Sequence, residues 1–106
     1  MVPKSPTITN PDWLHNAHAG EILASEFMEP LDLTSAELAA ALSVHEQRLQ
    51  YVLNGRKAID AELDLRLGRY FQMSEGFFLR LQDDFELLKA KRALSGELER
   101  IAPRAA

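Results

Sequence analysis

Hydrophobic residues recur three or four positions apart along most of this chain, which is the spacing of one buried helix face. The pattern predicts helices over about 19–29, 35–42, 45–53, 61–72 and 75–93, followed by a short tail helix before Pro103. A strand is not needed to account for any part of the pattern. The predicted fold class is therefore all-α, with five helices of which the last is the longest.

Two of these helices carry clear signals at their ends. Thr34 precedes Glu37 by three residues, which is the spacing of a capping box at the start of the second helix. Asn54-Gly55 is typical of a helix stop and ends the third. We therefore expect two short helices joined by a tight turn within residues 34–57.

The other boundaries depend on single residues. Pro30 is expected to end the first helix, because it disfavours a helical residue before it. Asp60 is predicted to be the N-cap of the fourth helix and Ser74 that of the fifth. Ser95-Gly96 is expected to break the fifth.

The third helix has a polar face that packing does not require. Two crossed helices, the second with a hydrogen-bonding face, are what a helix-turn-helix needs to reach base edges in a major groove. A solvated surface helix is the simpler alternative. The candidate DNA-contacting residues are Thr34, Ser35, His45, Glu46, Gln47, Arg48, Gln50, Tyr51, Asn54, Arg56 and Lys57.

A long apolar seam follows the fifth helix. Phe78, Leu81, Phe85 and Leu88 alternate steps of three and four residues, which suits helix packing or pairing. This seam is either a dimer interface or the inner face of the last helix. Dimerisation is the favoured expectation, because one module makes few phosphate contacts.

Composition and boundaries indicate a single small domain. We expect residues 1–17, with three prolines, to form a mobile arm, residues 18–94 the helix-turn-helix domain and residues 95–106 a tail. The chain has 106 residues and no cysteine, which favours an intracellular protein, and it has no long apolar run that predicts a membrane span.

The formal net charge of −4 argues against nucleic-acid binding, but this argument is weakened by the way the charges are distributed along the chain. Residues 1–47 carry seven acids and one basic residue, whereas residues 48–57 carry Arg48, Arg56 and Lys57 without an acid. The basic stretch coincides with the candidate recognition helix. The acidic N-terminal portion would suit a basic protein partner.

Catalytic and metal chemistry are not predicted. His15 and His18 lack a third ligand nearby and fit a solvated or capping role better than a metal site. Neither a Ser-His-Asp arrangement nor a glycine-rich phosphate loop is present, and Asp83, Asp84 and Glu86 fit a solvated helix face. We therefore expect no cofactor and no enzyme activity.

The motifs resemble a known family. His18–Leu23 and Glu26–Leu31 closely resemble the HPGEIL…EFLEPL opening of HigA-type antitoxins, the VapI group of the Xre-like helix-turn-helix superfamily, also called Xre/lambda-repressor-like. The similarity spans roughly residues 18–88. It continues through Ala36–Ala39, Val52–Lys57, Leu65–Arg69 and Phe77–Gln82.

The resemblance implies a cytoplasmic five-helix protein that pairs as a homodimer through its C-terminal half. It further implies binding to a palindromic operator in the protein's own promoter, and binding to a small basic toxin of the HigB type. That toxin would be a ribosome-dependent mRNA endonuclease, inactive while held. The implied function is thus that of an antitoxin and transcriptional autorepressor.

The sequence departs from the family pattern at positions near the predicted interface. Ser35 stands where Gln is common, Ala40 where Arg or Lys is frequent, Ser43 where Gly is usual and Glu46 where Arg or Gln is frequent. Asp64 replaces a frequent Ala. Two alternatives therefore stay open: a solitary regulator without a toxin, and a protein-interaction module that has lost DNA binding.

Overall fold

The computed structural model describes residues 16–105, which form five helices in the predicted order. They are α1 (Ala19–Ile22), α2 (Ser35–Leu42), α3 (Glu46–Leu53), α4 (Ala61–Phe71) and α5 (Phe77–Ala93). The described part of the chain contains no strand, so the all-α prediction is confirmed. The predicted arm lies mostly outside the described residues, although Asn16 donates to the carbonyl oxygen of Phe85 at 2.8 Å.

The first helix is longer and less regular than predicted. From α1 the chain continues into a π-helical segment (Leu23–Met28) and a 3₁₀ turn (Glu29–Leu31). The prediction that Pro30 ends the helix is therefore wrong, because Glu29 before it is helical. The helical conformation ends instead at Asp32, whose φ of 56° is left-handed.

Side chains from every helix form one continuous core. The fully buried hydrophobic side chains include Leu23 beside α1, Leu38 on α2, Leu49 on α3, Leu67 on α4 and Phe78 on α5. Five phenylalanine and tyrosine rings pack edge to face or tilted at the junction of the first helix, α4 and α5, which fixes how these elements meet. The rings are Phe27, Tyr70, Phe71, Phe77 and Phe78.

The ends of α2 and α3 follow the local signals. The Thr34 hydroxyl accepts the N–H of Glu37 at 3.1 Å and the Glu37 carboxylate accepts the N–H of Thr34 at 3.0 Å, so the predicted capping box is confirmed. Gly55, with a φ of 82°, ends α3 in the left-handed conformation. The N–H of Arg56 then reaches the carbonyl oxygen of Tyr51 at 2.8 Å, as in a Schellman motif.

Two predictions for the caps of α4 and α5 had opposite outcomes. Asp60 is the N-cap of α4, as predicted, and its side chain accepts the N–H of Leu63 at 2.9 Å. The prediction that Ser74 caps α5 is wrong, because α5 begins at Phe77 with Gly76 as its N-cap. Gly76 has no side chain that could accept the N–H groups at the start of α5.

Asp64 on α4 supplies the missing cap from a distance. Its carboxylate is buried and accepts the backbone N–H groups of Gly76, Phe78 and Leu79 at 2.7, 2.8 and 3.1 Å. Three of the donors left free at the start of α5 are thereby satisfied. The Asp64 carboxylate thus fastens α5 to α4.

The seam of α5 divides into inner and outer parts. Phe78 has no exposed surface, so the structure assigns it to the inner face and leaves it no area with which to contact a second copy. Leu81, Phe85 and Leu88 are half-buried. Beyond them the chain is exposed through a 3₁₀ turn (Leu98–Arg100), which takes the place of the predicted tail helix. None of the described helices is both long enough and apolar enough to cross a membrane.

Candidate nucleic-acid interface

The two faces of α3 differ sharply. Leu49 and Val52 are buried in the core, whereas Glu46, Gln47 and Gln50 are exposed. The polar face therefore belongs to the surface, as the sequence predicted, and it is not covered by any other described part of the chain. It is free to meet a partner.

At the N-terminal end of α3, polar side chains of two helices meet. The Glu46 carboxylate accepts the Ser35 hydroxyl at 2.9 Å and the Gln50 side-chain amide at 3.2 Å, both through the same oxygen. Ser35 is the first residue of α2 and Glu46 the first of α3. The starts of the two helices are therefore joined at one place, where a helix-turn-helix makes its base and phosphate contacts.

Further along the exposed face, an amide, an aromatic ring and an ammonium group lie together. Gln47 donates from its side-chain amide to the Tyr51 hydroxyl at 3.2 Å. The Lys57 ammonium lies 5.7 Å from the centre of the Tyr51 ring, within the range of a cation–π contact. Tyr51 is thereby contacted at its hydroxyl and over its ring.

Beyond the end of α3, two cations project from a short ordered turn. The side-chain oxygen of Asn54 accepts the backbone N–H of Arg56 at 3.1 Å, which orders the chain after the helix stop. Arg56 and Lys57 are exposed. Exposed guanidinium and ammonium groups on an ordered turn are suited to phosphate contacts, which position a protein on the duplex.

Arg48 differs from the other candidates, because it is already paired. Its guanidinium donates to both carboxylate oxygens of Asp60 at 3.1 and 3.2 Å and lies 3.6 Å from a Glu62 oxygen. Two carboxylates offset its charge, so it adds little positive potential to the surface. This pairing was not predicted from the sequence, because the partners lie twelve and fourteen residues away.

The remaining candidates are at the helix starts. The Thr34 oxygen is engaged in the capping box, and His45, the N-cap of α3, makes no side-chain cap bond.

The two histidines that were weighed as metal ligands do not form a metal site among the described residues. His18 instead caps α1 by accepting the N–H of Glu21 through Nδ1 at 3.3 Å. His15 lies outside the described residues, and among residues 16–105 no three His, Asp or Glu side chains are grouped as metal ligands.

Comparison with known proteins gives the same picture at the level of sequence. No protein-family model matches the chain. The uncharacterized HTH-type transcriptional regulator YbaQ of Escherichia coli K12 is 32% identical over 80 residues, which cover 76% of this chain and 71% of that protein. Antitoxin HigA-1 of Vibrio cholerae is 29% identical over 84 residues, with 79% of each chain covered.

Solved structures are similar over most of the chain. Antitoxin HigA of Pseudomonas aeruginosa, solved with the higBA promoter, is 35% identical with a TM-score of 0.77, covering 86% of this chain and all of that one. The antitoxin GraA, solved in complex with its operator, is 31% identical with a TM-score of 0.75, over 85% of this chain and 91% of that one. With this fold, this exposed α3 and these relatives, the chain belongs to the HigA-type antitoxin family of helix-turn-helix proteins.

Proposed function

We propose that this protein is a sequence-specific DNA-binding autorepressor that places α3 in the major groove of its own promoter. The observation that carries the proposal is the exposed polar face of α3, with its side chains ordered by mutual hydrogen bonds and with Arg56 and Lys57 at its end. The similar antitoxins solved with promoter or operator DNA support the same assignment.

A homodimer is part of the proposal, since one protomer offers few unpaired cations for phosphate contacts. Two copies would place their α3 helices in successive major grooves, about 34 Å apart. We expect the interface on the outer part of α5 and the tail. Leu81, Phe85 and Leu88 are half-buried there, and Leu87 and Ile101 are 58% and 68% exposed.

We further propose that the protein is an antitoxin that binds and neutralises a HigB-like toxin. Charge supports a basic protein partner: Glu26, Glu29, Asp32 and Glu37 are all exposed around the end of the first helix and the start of α2. Complementary charge would speed the encounter and select against acidic proteins. The relatives named as antitoxins support the same role.

Binding to duplex DNA from the region upstream of the protein's own reading frame tests the repressor role. Fluorescence anisotropy at two salt concentrations should give a complex that weakens steeply with salt. Tyr51→Ala should weaken it, whereas Leu65→Ala, which shortens an exposed side chain on α4, should not. Equal binding by both variants would remove Tyr51 from the interface.

A protein-interaction module that has lost DNA binding is the second candidate. The pairing of Arg48 with Asp60 and Glu62, and the carboxylate of Glu46 on the candidate interface, favour it. Absence of any salt-sensitive DNA complex would select this candidate. Copurification with the product of an adjacent reading frame would separate an antitoxin from a solitary regulator.

A further inference from the structure

We propose that Glu46 determines one base pair in each operator half-site by accepting a hydrogen bond from the exocyclic amino group of a cytosine. The inference rests on the proposed DNA binding and adds to it the identity of a base that the protein selects. Its physical basis is the way in which the structure holds the Glu46 carboxylate.

The carboxylate is fixed through one of its two oxygens. Oε2 accepts the Ser35 hydroxyl at 2.9 Å and the Gln50 amide at 3.2 Å. Within residues 16–105 no group donates a hydrogen bond to Oε1. The side chain thus has little freedom left, while one oxygen is kept for a partner. A side chain ordered before binding loses less entropy when it binds.

The chemistry of a carboxylate restricts what that partner can be. An ionised carboxylate only accepts hydrogen bonds. In the major groove, guanine offers the acceptors N7 and O6 and thymine offers O4, so both repel it. Adenine offers an amino group, but beside the acceptor N7. Cytosine offers its N4 amino group without an acceptor on the same base edge, and it is therefore the base that Glu46 fits best.

Gln50 adds to this preference. Because the carboxylate cannot donate, the nitrogen of the Gln50 amide must face Glu46, which leaves the amide oxygen for another partner. A glutamine that recognises adenine uses its amide nitrogen and oxygen together. Here one of the two N–H groups of the amide is engaged by Glu46, so Gln50 holds the carboxylate in place and its amide oxygen is a second acceptor. The oxygens of Glu46 and Gln50 therefore favour a base that presents an amino group at the start of α3.

Glu46 should contribute to specificity more than to affinity. Its negative charge is repelled by phosphates whatever the sequence, and only a correctly placed amino group offsets that repulsion. One good base contact corresponds to about tenfold in affinity, at the lower end of what such contacts contribute. A duplex with guanine at this position should therefore bind the wild type about tenfold more weakly than one with cytosine.

Selection from a pool of randomised duplexes, followed by sequencing, tests the inference. The wild-type protein should enrich sites with a cytosine at one symmetric position in each half-site. Glu46→Ala should accept any base there, and Glu46→Gln should lose the preference for cytosine and accept adenine. Ser35→Ala, which removes one of the two donors that hold the carboxylate, should weaken the preference at that position alone. Glu75→Gln removes an exposed carboxylate from the turn before α5 and should select the wild-type sequence.

The possible outcomes separate the role of Glu46 from DNA binding itself. Enriched sites that are the same for the wild type and Glu46→Ala would overturn the assignment of Glu46 while leaving DNA binding intact. A wild-type preference for an A·T or T·A pair at the position that changes in Glu46→Ala would overturn it as well, because neither pair contains a cytosine. Failure of the wild type to enrich any sequence would remove the proposed function together with this inference.

Discussion

Gly20 lies directly against the backbone of Val52. A Cβ atom at position 20 would overlap the carbonyl oxygen of Val52 and come within 2.8 Å of its carbonyl carbon. Since neither backbone can move aside cheaply, the missing side chain is what allows α1 to approach α3 so closely. The position of α3 relative to the rest of the domain therefore depends on a glycine outside the helix-turn-helix.

Gly20→Ala should accordingly destabilise the fold by about 2 kcal/mol or more, because the added methyl group forces α1 and α3 apart. Urea denaturation followed by circular dichroism measures this change. Gly96→Ala is the matched control: a Cβ there meets nothing within 4 Å, so its cost is limited to its left-handed backbone. An unfolding midpoint for Gly20→Ala equal to that of the wild type would refute the close approach.

The buried carboxylate of Asp64 should be one of the most sensitive side chains in the protein. Asp64→Ala leaves three backbone N–H groups at the start of α5 without an acceptor, at a cost of about 2–4 kcal/mol. Asp64→Asn keeps one acceptor and should cost about half as much. Asp84→Asn, on the exposed side of α5, should leave the free energy of unfolding nearly unchanged. Equal stability of the Asp64 and Asp84 variants would contradict the capping role.

The cationic residues near α3 should differ in how they affect the salt dependence of DNA affinity. Removing a side chain that neutralises one phosphate reduces the slope of log K against log salt concentration by about one. Arg56→Gln and Lys57→Gln should each show this reduction. Arg48→Gln should lower affinity with nearly the same slope, because Arg48 pairs with Asp60 and Glu62 and positions α3 against α4. A slope reduced most by Arg48→Gln would show that this guanidinium leaves its carboxylates to contact phosphate.

The turn between α2 and α3 contains a residue whose backbone strain can be relieved by substitution. Ser43 has a φ of 59°, in the left-handed region that costs a residue with a side chain about 1 kcal/mol or more. Ser43→Gly should therefore raise the free energy of unfolding by about 0.5–1 kcal/mol, since the added backbone freedom of glycine in the unfolded chain offsets part of the gain. Thermal or urea unfolding would measure it, and a decrease in stability would show that the serine side chain stabilises the turn.

Features with local causes could be predicted from the sequence. The capping box of Thr34 and Glu37, the stop at Asn54-Gly55 and the Asp60 cap each involve residues within a few positions of one another. Their hydrogen bonds depend on the local backbone alone, so the spacing of residue types is enough to place them. The exposed face of α3 followed in the same way from its periodicity.

Features that depend on residues distant in the sequence could not be predicted in this way. Ser74 looked like the cap of α5 from its position, but Asp64 performs this role from the preceding helix. Arg48 looked like a free cation until the fold brought Asp60 and Glu62 beside it. Periodicity grouped Phe78 with Leu81 and Phe85, although only packing could decide that Phe78 is buried within a single chain. In each case the deciding partner is set by tertiary structure.

Titration of isotope-labelled protein with duplex DNA from its own upstream region, followed by amide chemical shifts, tests most directly whether α3 recognises DNA. We expect the largest shifts at the start of α2, along residues 45–51 and at Arg56 and Lys57, and we expect them to disappear at high salt. Shifts confined to the outer part of α5 and the tail, or an absence of shifts at low salt, would contradict recognition of DNA by α3.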